Sequence, residues 1–237
     1  MKDFDNDHGI DKASETTNED VKKINNEDFT EAFWDKQKNI LISSYINTII
    51  IILNIIIFII SLILGEPFVQ RFEQRADYIM AGSQYYRLVT SMFLHADAEH
   101  LFSNMLILMF VGANVEYDIG HIFYLILYFL SGIGGNILSI AYDFFKAEFI
   151  PSIGASGAVF GIIGAVIVIV YYGRKKLKKG SNLMIRLALM VALSVYTGFR
   201  TENVDNAAHI GGLLSGIIIV LLITIINKKE YTMEEWL

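Results

Sequence analysis

Gly154-Ala155-Ser156-Gly157-Ala158-Val159-Phe160-Gly161 opens a long apolar segment and sets one serine among small residues. Gly157, Gly161 and Gly164 recur at spacings of four and three, so on a helix they share a face. In a bilayer such a face lets a second helix approach closely, and packing is the common role of small residues there. A nucleophilic role for Ser156 requires a base to take its proton. The reading of this stretch therefore depends on whether the chain supplies a base at the same depth.

The surrounding composition places the stretch in a membrane. Of 237 residues, 54% are hydrophobic, the mean hydropathy is +0.45, and the apolar residues come in blocks. That composition belongs to an all-α polytopic membrane protein. Most of the net charge of −6 arises in the first 44 residues, which carry eleven acidic and six basic side chains. With a sequence pI near 5.4 there is no basic surface to recruit nucleic acid. The absence of cysteine removes disulfides, thiolate metal sites and a thiol nucleophile. Only two prolines occur, as expected of uninterrupted helices.

Residues 1–40 read as an acidic, largely disordered cytoplasmic tail. They lack the positive start and short apolar core of a cleavable signal peptide. The core, 41–230, reads as six spans at about Tyr45–Leu64, Leu101–Val115, Ile122–Tyr142, Ser152–Tyr172, Leu183–Thr197 and Ala207–Ile226. The second and fifth are short and call for bilayer thinning or burial among other helices. A short cytoplasmic tail, 231–237, follows. The connection 65–99 is rich in aromatic residues and holds Arg71, Arg75 and Arg87, which predicts a structured, part-embedded element. Lys and Arg near the membrane number nine on the side of the termini and five on the other, and Arg174–Lys179 decides the count. Both termini are then cytoplasmic.

In that topology the fourth span runs inward from outside, with Ser156 about one turn below its outer end. The sixth span also starts outside, and its third residue is His209. Ionisable groups within spans are costly and point to function. His209, Gly212 and Gly216 follow i, i+3, i+7, so the histidine shares a face with two glycines. Two glycine faces in contact would carry the imidazole to the serine hydroxyl, making packing and chemistry one feature. The second span opens His95-Ala96-Asp97-Ala98-Glu99-His100-Leu101-Phe102-Ser103-Asn104. His100 and Asn104 are four apart, on one face, and each carries a donor for the charge developing on an attacked carbonyl oxygen. The Ser156 amide, near a helix start, is a third candidate. A metal held by His95, His100 and His209 with Asp97 or Glu99 is the competing chemistry. No HExxH-like spacing supports it, so neither metal nor cofactor is expected.

The set His95-x4-His100-x3-Asn104, Gly154-x-Ser156-Gly157 and Ala208-His209-x2-Gly212-x3-Gly216 resembles the rhomboid family of intramembrane serine proteases. The resemblance implies a six-transmembrane-helix rhomboid-like bundle in which Ser156 is the nucleophile and His209 the base, without an aspartate. It also implies that His100, Asn104 and the Ser156 amide form the oxyanion site. His95, Gly154, Gly157, Phe160, Gly212 and Gly216 support it, and Gly112-x3-Glu116 is a structural match. Two positions depart from the family pattern: Tyr86-Arg87 stands for Trp-Arg, and Phe160 for tyrosine. Partners would be transmembrane protein substrates and the lipid bilayer. The expected location is a bacterial cell membrane, with the site open to the extracytoplasmic side. A non-catalytic rhomboid-like protein that binds transmembrane clients is the alternative, against which Ser156 and His209 together speak. A small transporter would show mid-membrane charges or broken helices, and apart from Glu116 near a boundary the sequence shows neither.

Overall fold

The structure, a computed structural model, describes residues 34–173 and 204–231. The chain divides into Met1–Lys38 and Asn39–Leu237. In chain order the helices are α1 (34–43), α2 (Tyr45–Leu64), α3 (Glu66–Phe72), α4 (Ala76–Met80), α5 (Arg87–Thr90), α6 (Ala98–Ile119), α7 (His121–Lys146), α8 (Ser156–Gly173) and α9 (Asn206–Ile226). Five helices among the described residues, α2, α6, α7, α8 and α9, are long and apolar enough to cross a membrane. The protein is an all-helical, multi-pass membrane protein. The expected span at Leu183–Thr197 lies outside the described residues, as does nearly all of the tails at 1–40 and 231–237.

Several boundaries differ from expectation. The second span is longer than Leu101–Val115: α6 runs for 22 residues from Ala98 to Ile119. Asp97 starts it early, its carboxylate accepting from the His100 N–H at 2.7 Å. Glu99, Glu116 and Asp118 mask its ends in a hydropathy reading, because these carboxylates lie inside the helix. Residues Leu108–Gly112 form a π turn within it. The fourth span begins at Ser156 rather than Ser152, since 150–155 is not helical and Ser152 makes an antiparallel bridge with Gln74. Ser156 is therefore the first residue of its helix, and the expectation of one turn of helix before it is corrected.

The core is built around α8. Its sequence is apolar on every side, and fourteen of its eighteen residues are buried, as a helix without a polar face requires. It packs against α9 and α7, which also pack against each other. Small residues line all three contacts. A Cβ at Gly212 would fall on the Gly157 carbonyl oxygen, and one at Gly216 on the carbonyl oxygen of Gly161. On α7, a Cβ at Gly135 would lie 2.7 Å from the Ala208 carbonyl oxygen. The run Gly132-Ile133-Gly134-Gly135 was a legible third small-residue face that the sequence reading passed over.

At the opposite end of the spans, Glu116 ties α6 to α2. Fully buried, it accepts from the Ile46 and Asn47 amides at 3.1 and 2.7 Å and from His121 Nδ1 at 2.6 Å. It thus caps the start of α2 from a neighbouring helix. Asn47 donates to the Leu108 carbonyl at the π turn and accepts from the Tyr124 hydroxyl. Gly112 leaves room for that pair, since a Cβ would lie 2.6 Å from the Tyr124 oxygen. Tyr231, expected in a tail, is instead buried and hydrogen-bonded to Thr224.

The connection 65–99 is structured, as expected. Gly65 has φ +72°, open to glycine, and Pro67 sits in the first turn of α3. Arg87, buried, donates to the Gln70 and Glu73 carbonyls that end α3 and to Gln84 Oε1. It thereby satisfies carbonyls the helix leaves over. The Tyr86 hydroxyl donates to the Arg71 carbonyl.

Candidate active site

The segment that delivers Ser156 is stitched from both sides. Gln74 and Ser152 exchange both backbone hydrogen bonds, at 2.9 and 3.1 Å, and the Gly154 amide donates to the Ser91 carbonyl. Ser91 is in turn fastened to α7, its hydroxyl accepting from Asn136 Nδ2 at 3.0 Å. Gly154 has φ +130°, a conformation side chains rarely adopt, and a Cβ there would lie 2.7 Å from His100 Cε1. Glycine is required at 154 for backbone and space together. The edge of the His100 ring therefore lies against the backbone two residues before Ser156.

His209 stands one turn into α9. Its Nε2 is 3.0 Å from Ser156 Oγ, within hydrogen-bond range. Phe160, one turn into α8, stacks flat on the imidazole, with ring centroids 4.3 Å apart and planes 12° from parallel. The other ring nitrogen, Nδ1, is buried and has no partner among the described residues. The nearest carboxylate in sequence, Asp205, is engaged elsewhere: it accepts from the Ala208 N–H and from the Ser139 hydroxyl. The structure thus brings together Ser156, His209, Phe160, Gly154 and His100, with Gly157 and Gly212 in backbone contact beneath them.

Asn104 lies one turn along α6 from His100, on the same face. It is 4% exposed, and no group among the described residues accepts from its Nδ2. Buried amides without partners are uncommon, so this donor is free for a group that enters the site. The Ser156 and Gly157 amides belong to the first turn of α8, where N–H groups have no intrahelical acceptor. His95 packs edge-on against His100 with centroids 5.0 Å apart. Burial, with His100 adding, pushes His95 down to about 3, so it is neutral and supports the His100 ring. Among the described residues no group of three or more His, Cys, Asp or Glu side chains converges as a metal site.

Serine, imidazole and unpaired donors of this kind can run acyl transfer. The Ser139–Asp205 contact was not legible, because each residue is unremarkable in its own helix.

Comparison with known proteins bears on the same residues. The Rhomboid domain family model matches residues 82–225, more than half of the chain. Over 147 residues the chain is 34% identical to "Rhomboid protease GluP" of Bacillus subtilis (strain 168), covering 61% of this chain and 27% of that protein. It is 37% identical over 147 residues to "RHOMBOID-like protein 4" of Arabidopsis thaliana, covering 61% and 36%. With "Rhomboid-like protease 3" of Toxoplasma gondii it shares 32% over 154 residues, covering 65% and 56%. The chain spans from about a quarter to just over half the length of these relatives. The matched region runs from the connection before α6 into α9 and takes in every helix that contributes to the site, and on that ground the chain belongs to the rhomboid family.

Proposed function

We propose that this protein is an intramembrane serine endopeptidase that hydrolyses peptide bonds in or near transmembrane segments of other membrane proteins. The observation that carries the reading is the 3.0 Å approach of His209 Nε2 to Ser156 Oγ between two different spans. With its proton on Nδ1, His209 accepts the serine proton as Ser156 Oγ attacks the carbonyl carbon. The oxygen of that carbonyl becomes an anion, and Asn104 Nδ2, the His100 ring and the Ser156 amide are the donors assigned to it. His209 then passes the proton to the leaving amine, and water, activated by the same imidazole, releases the acyl group from Ser156.

A helical substrate presents no free carbonyl, so cleavage favours segments that unwind easily. The distribution of Lys and Arg supports cytoplasmic termini and a site open to the extracytoplasmic face of a bacterial membrane. Phe160 holds the imidazole by stacking, where a hydrogen-bonded carboxylate would hold it in a triad.

The test is cleavage of a model transmembrane substrate in liposomes, together with labelling by a serine-directed fluorophosphonate. Ser156→Ala should abolish both, and His209→Ala should abolish cleavage. A Ser156→Ala protein that still cleaves would overturn the reading. A wild type that neither labels nor cleaves, while binding transmembrane segments, would favour client binding without catalysis.

A further inference from the structure

In a three-residue relay a carboxylate on the far ring nitrogen holds the imidazole in place. Here His209 Nδ1 is buried without an acceptor among the described residues, so none of them orients the ring from behind by a hydrogen bond. Its position then follows from the Phe160 stack and from where α9 begins. That beginning is held in an uncommon way.

Asp205 is the N-cap of α9. One carboxylate oxygen accepts from the Ala208 amide at 2.8 Å, and the residue's own carbonyl accepts from the His209 amide at 3.2 Å. The other carboxylate oxygen accepts from the hydroxyl of Ser139 at 2.5 Å, on the neighbouring helix α7. Ser139 is 3% exposed. One turn further along α7 stands Asp143, 8% exposed, whose charge opposes that of Asp205 and whose Oδ2 has no partner among the described residues. Without the Ser139 hydroxyl, the half-buried Asp205 would lose its tie to α7 while still repelled by a like charge, and would move away from that helix. Movement in the other direction is barred, because the Ala208 carbonyl already closes on the α7 backbone at Gly135. The start of α9 is thus held between a backbone contact and one short hydrogen bond.

We infer that Asp205 is a positioning residue, acting through Ser139, that sets the distance from His209 to Ser156. The inference rests on the reading of Ser156 and His209 as the catalytic pair. Asp205 does at the level of the helix what a triad carboxylate does at the level of the ring.

The experiment measures kcat and KM for a transmembrane substrate in liposomes, normalised to fluorophosphonate-titratable enzyme, with Ser156→Ala as control. Ser139→Ala should lower kcat by about tenfold with KM nearly unchanged, since a displacement well under an ångström moves only the base. Ser139→Thr, which keeps a hydroxyl, should restore kcat. Adding Asp143→Asn to Ser139→Ala should recover most of the loss, because the amide removes the repulsion. Asp205→Asn keeps a good helix cap but accepts less strongly, and should lose kcat in the same way. Wild-type kcat in Ser139→Ala, with or without a lower melting temperature, overturns the proposal, as does failure of Ser139→Thr to rescue. Should Ser139→Ala not fold, wild-type kcat in Asp205→Asn overturns it equally. These outcomes sink this proposal alone, whereas cleavage by Ser156→Ala sinks the catalytic pair itself.

Discussion

At the scale of single residues, the site is defined by polar atoms that the protein leaves without partners. Asn104 Nδ2 is buried and has no partner among the described residues, a cost to stability that a donor awaiting a charge in the reaction would justify. Removing one oxyanion donor in a soluble serine protease costs roughly 3 kcal/mol. Here the His100 ring and a helix-start amide remain, so Asn104→Ala should lower kcat by about ten- to a hundred-fold while the protein melts normally. A rate equal to wild type would place that amide outside the oxyanion site. His95 offers a prediction on stability. Its folded value near 3 lies below the ordinary 6.5, so the unfolded chain binds a proton that the folded chain excludes between those values. The stability it contributes is complete above about pH 6.5 and is lost as pH falls towards 3, by at most about 1.4 kcal/mol per pH unit. Melting curves in detergent from pH 7 to 4 should fall more steeply for wild type than for His95→Gln; parallel curves would refute this.

At the scale of elements, the contact of α8 with α9 is asymmetric. A Cβ at Gly212 would meet the backbone of Gly157, which cannot rotate away. At Gly157 the nearest atom to an added Cβ is 3.6 Å off, an ordinary contact. Gly212→Ala should therefore push the helices apart and Gly157→Ala should not. Overpacking costs about 1–3 kcal/mol in soluble cores, and membrane helices rely on close approach more heavily. A shift of about an ångström costs on the order of a hundred-fold in rate. Gly212→Ala should lose most cleavage and most fluorophosphonate labelling with Ser156 and His209 intact, whereas Gly157→Ala should stay folded and label. Equal labelling of Gly212→Ala and wild type would contradict assembly of the site by glycine packing.

At the scale of the whole molecule, the two polar clusters occupy opposite ends of the spans. His100 is near the start of α6 and Glu116 near its end, so the chemistry lies at one end and the Glu116 brace at the other. The brace fixes α2 on α6 without entering the site. The acidic first 33 residues have the composition of a solvated segment. Deleting residues 1–33, which spares α1, should leave cleavage of a transmembrane substrate within about twofold of wild type. A folded but inactive truncation would show that the tail takes part.

The sequence by itself determined the class, five of its spans to within a few residues among those the structure describes, and the nearness of Ser156 to His209. Blocks of apolar residues, charge asymmetry and helical spacing are local properties that need no partner to be read. The same spacing put Gly157, Gly212 and Gly216 on facing surfaces. Tertiary structure alone decided which glycines lie against a neighbouring backbone, because periodicity says which residues share a face and nothing of where that backbone stands. It also decided that Ser156 is the first residue of its helix, since the Gln74–Ser152 bridge keeps the preceding residues out of it. Gly154 is needed for a ring that arrives from α6, and Asp205 matters through a hydroxyl on α7. Each of these depends on atoms far apart in the chain, and folding alone brings them within a hydrogen bond of one another.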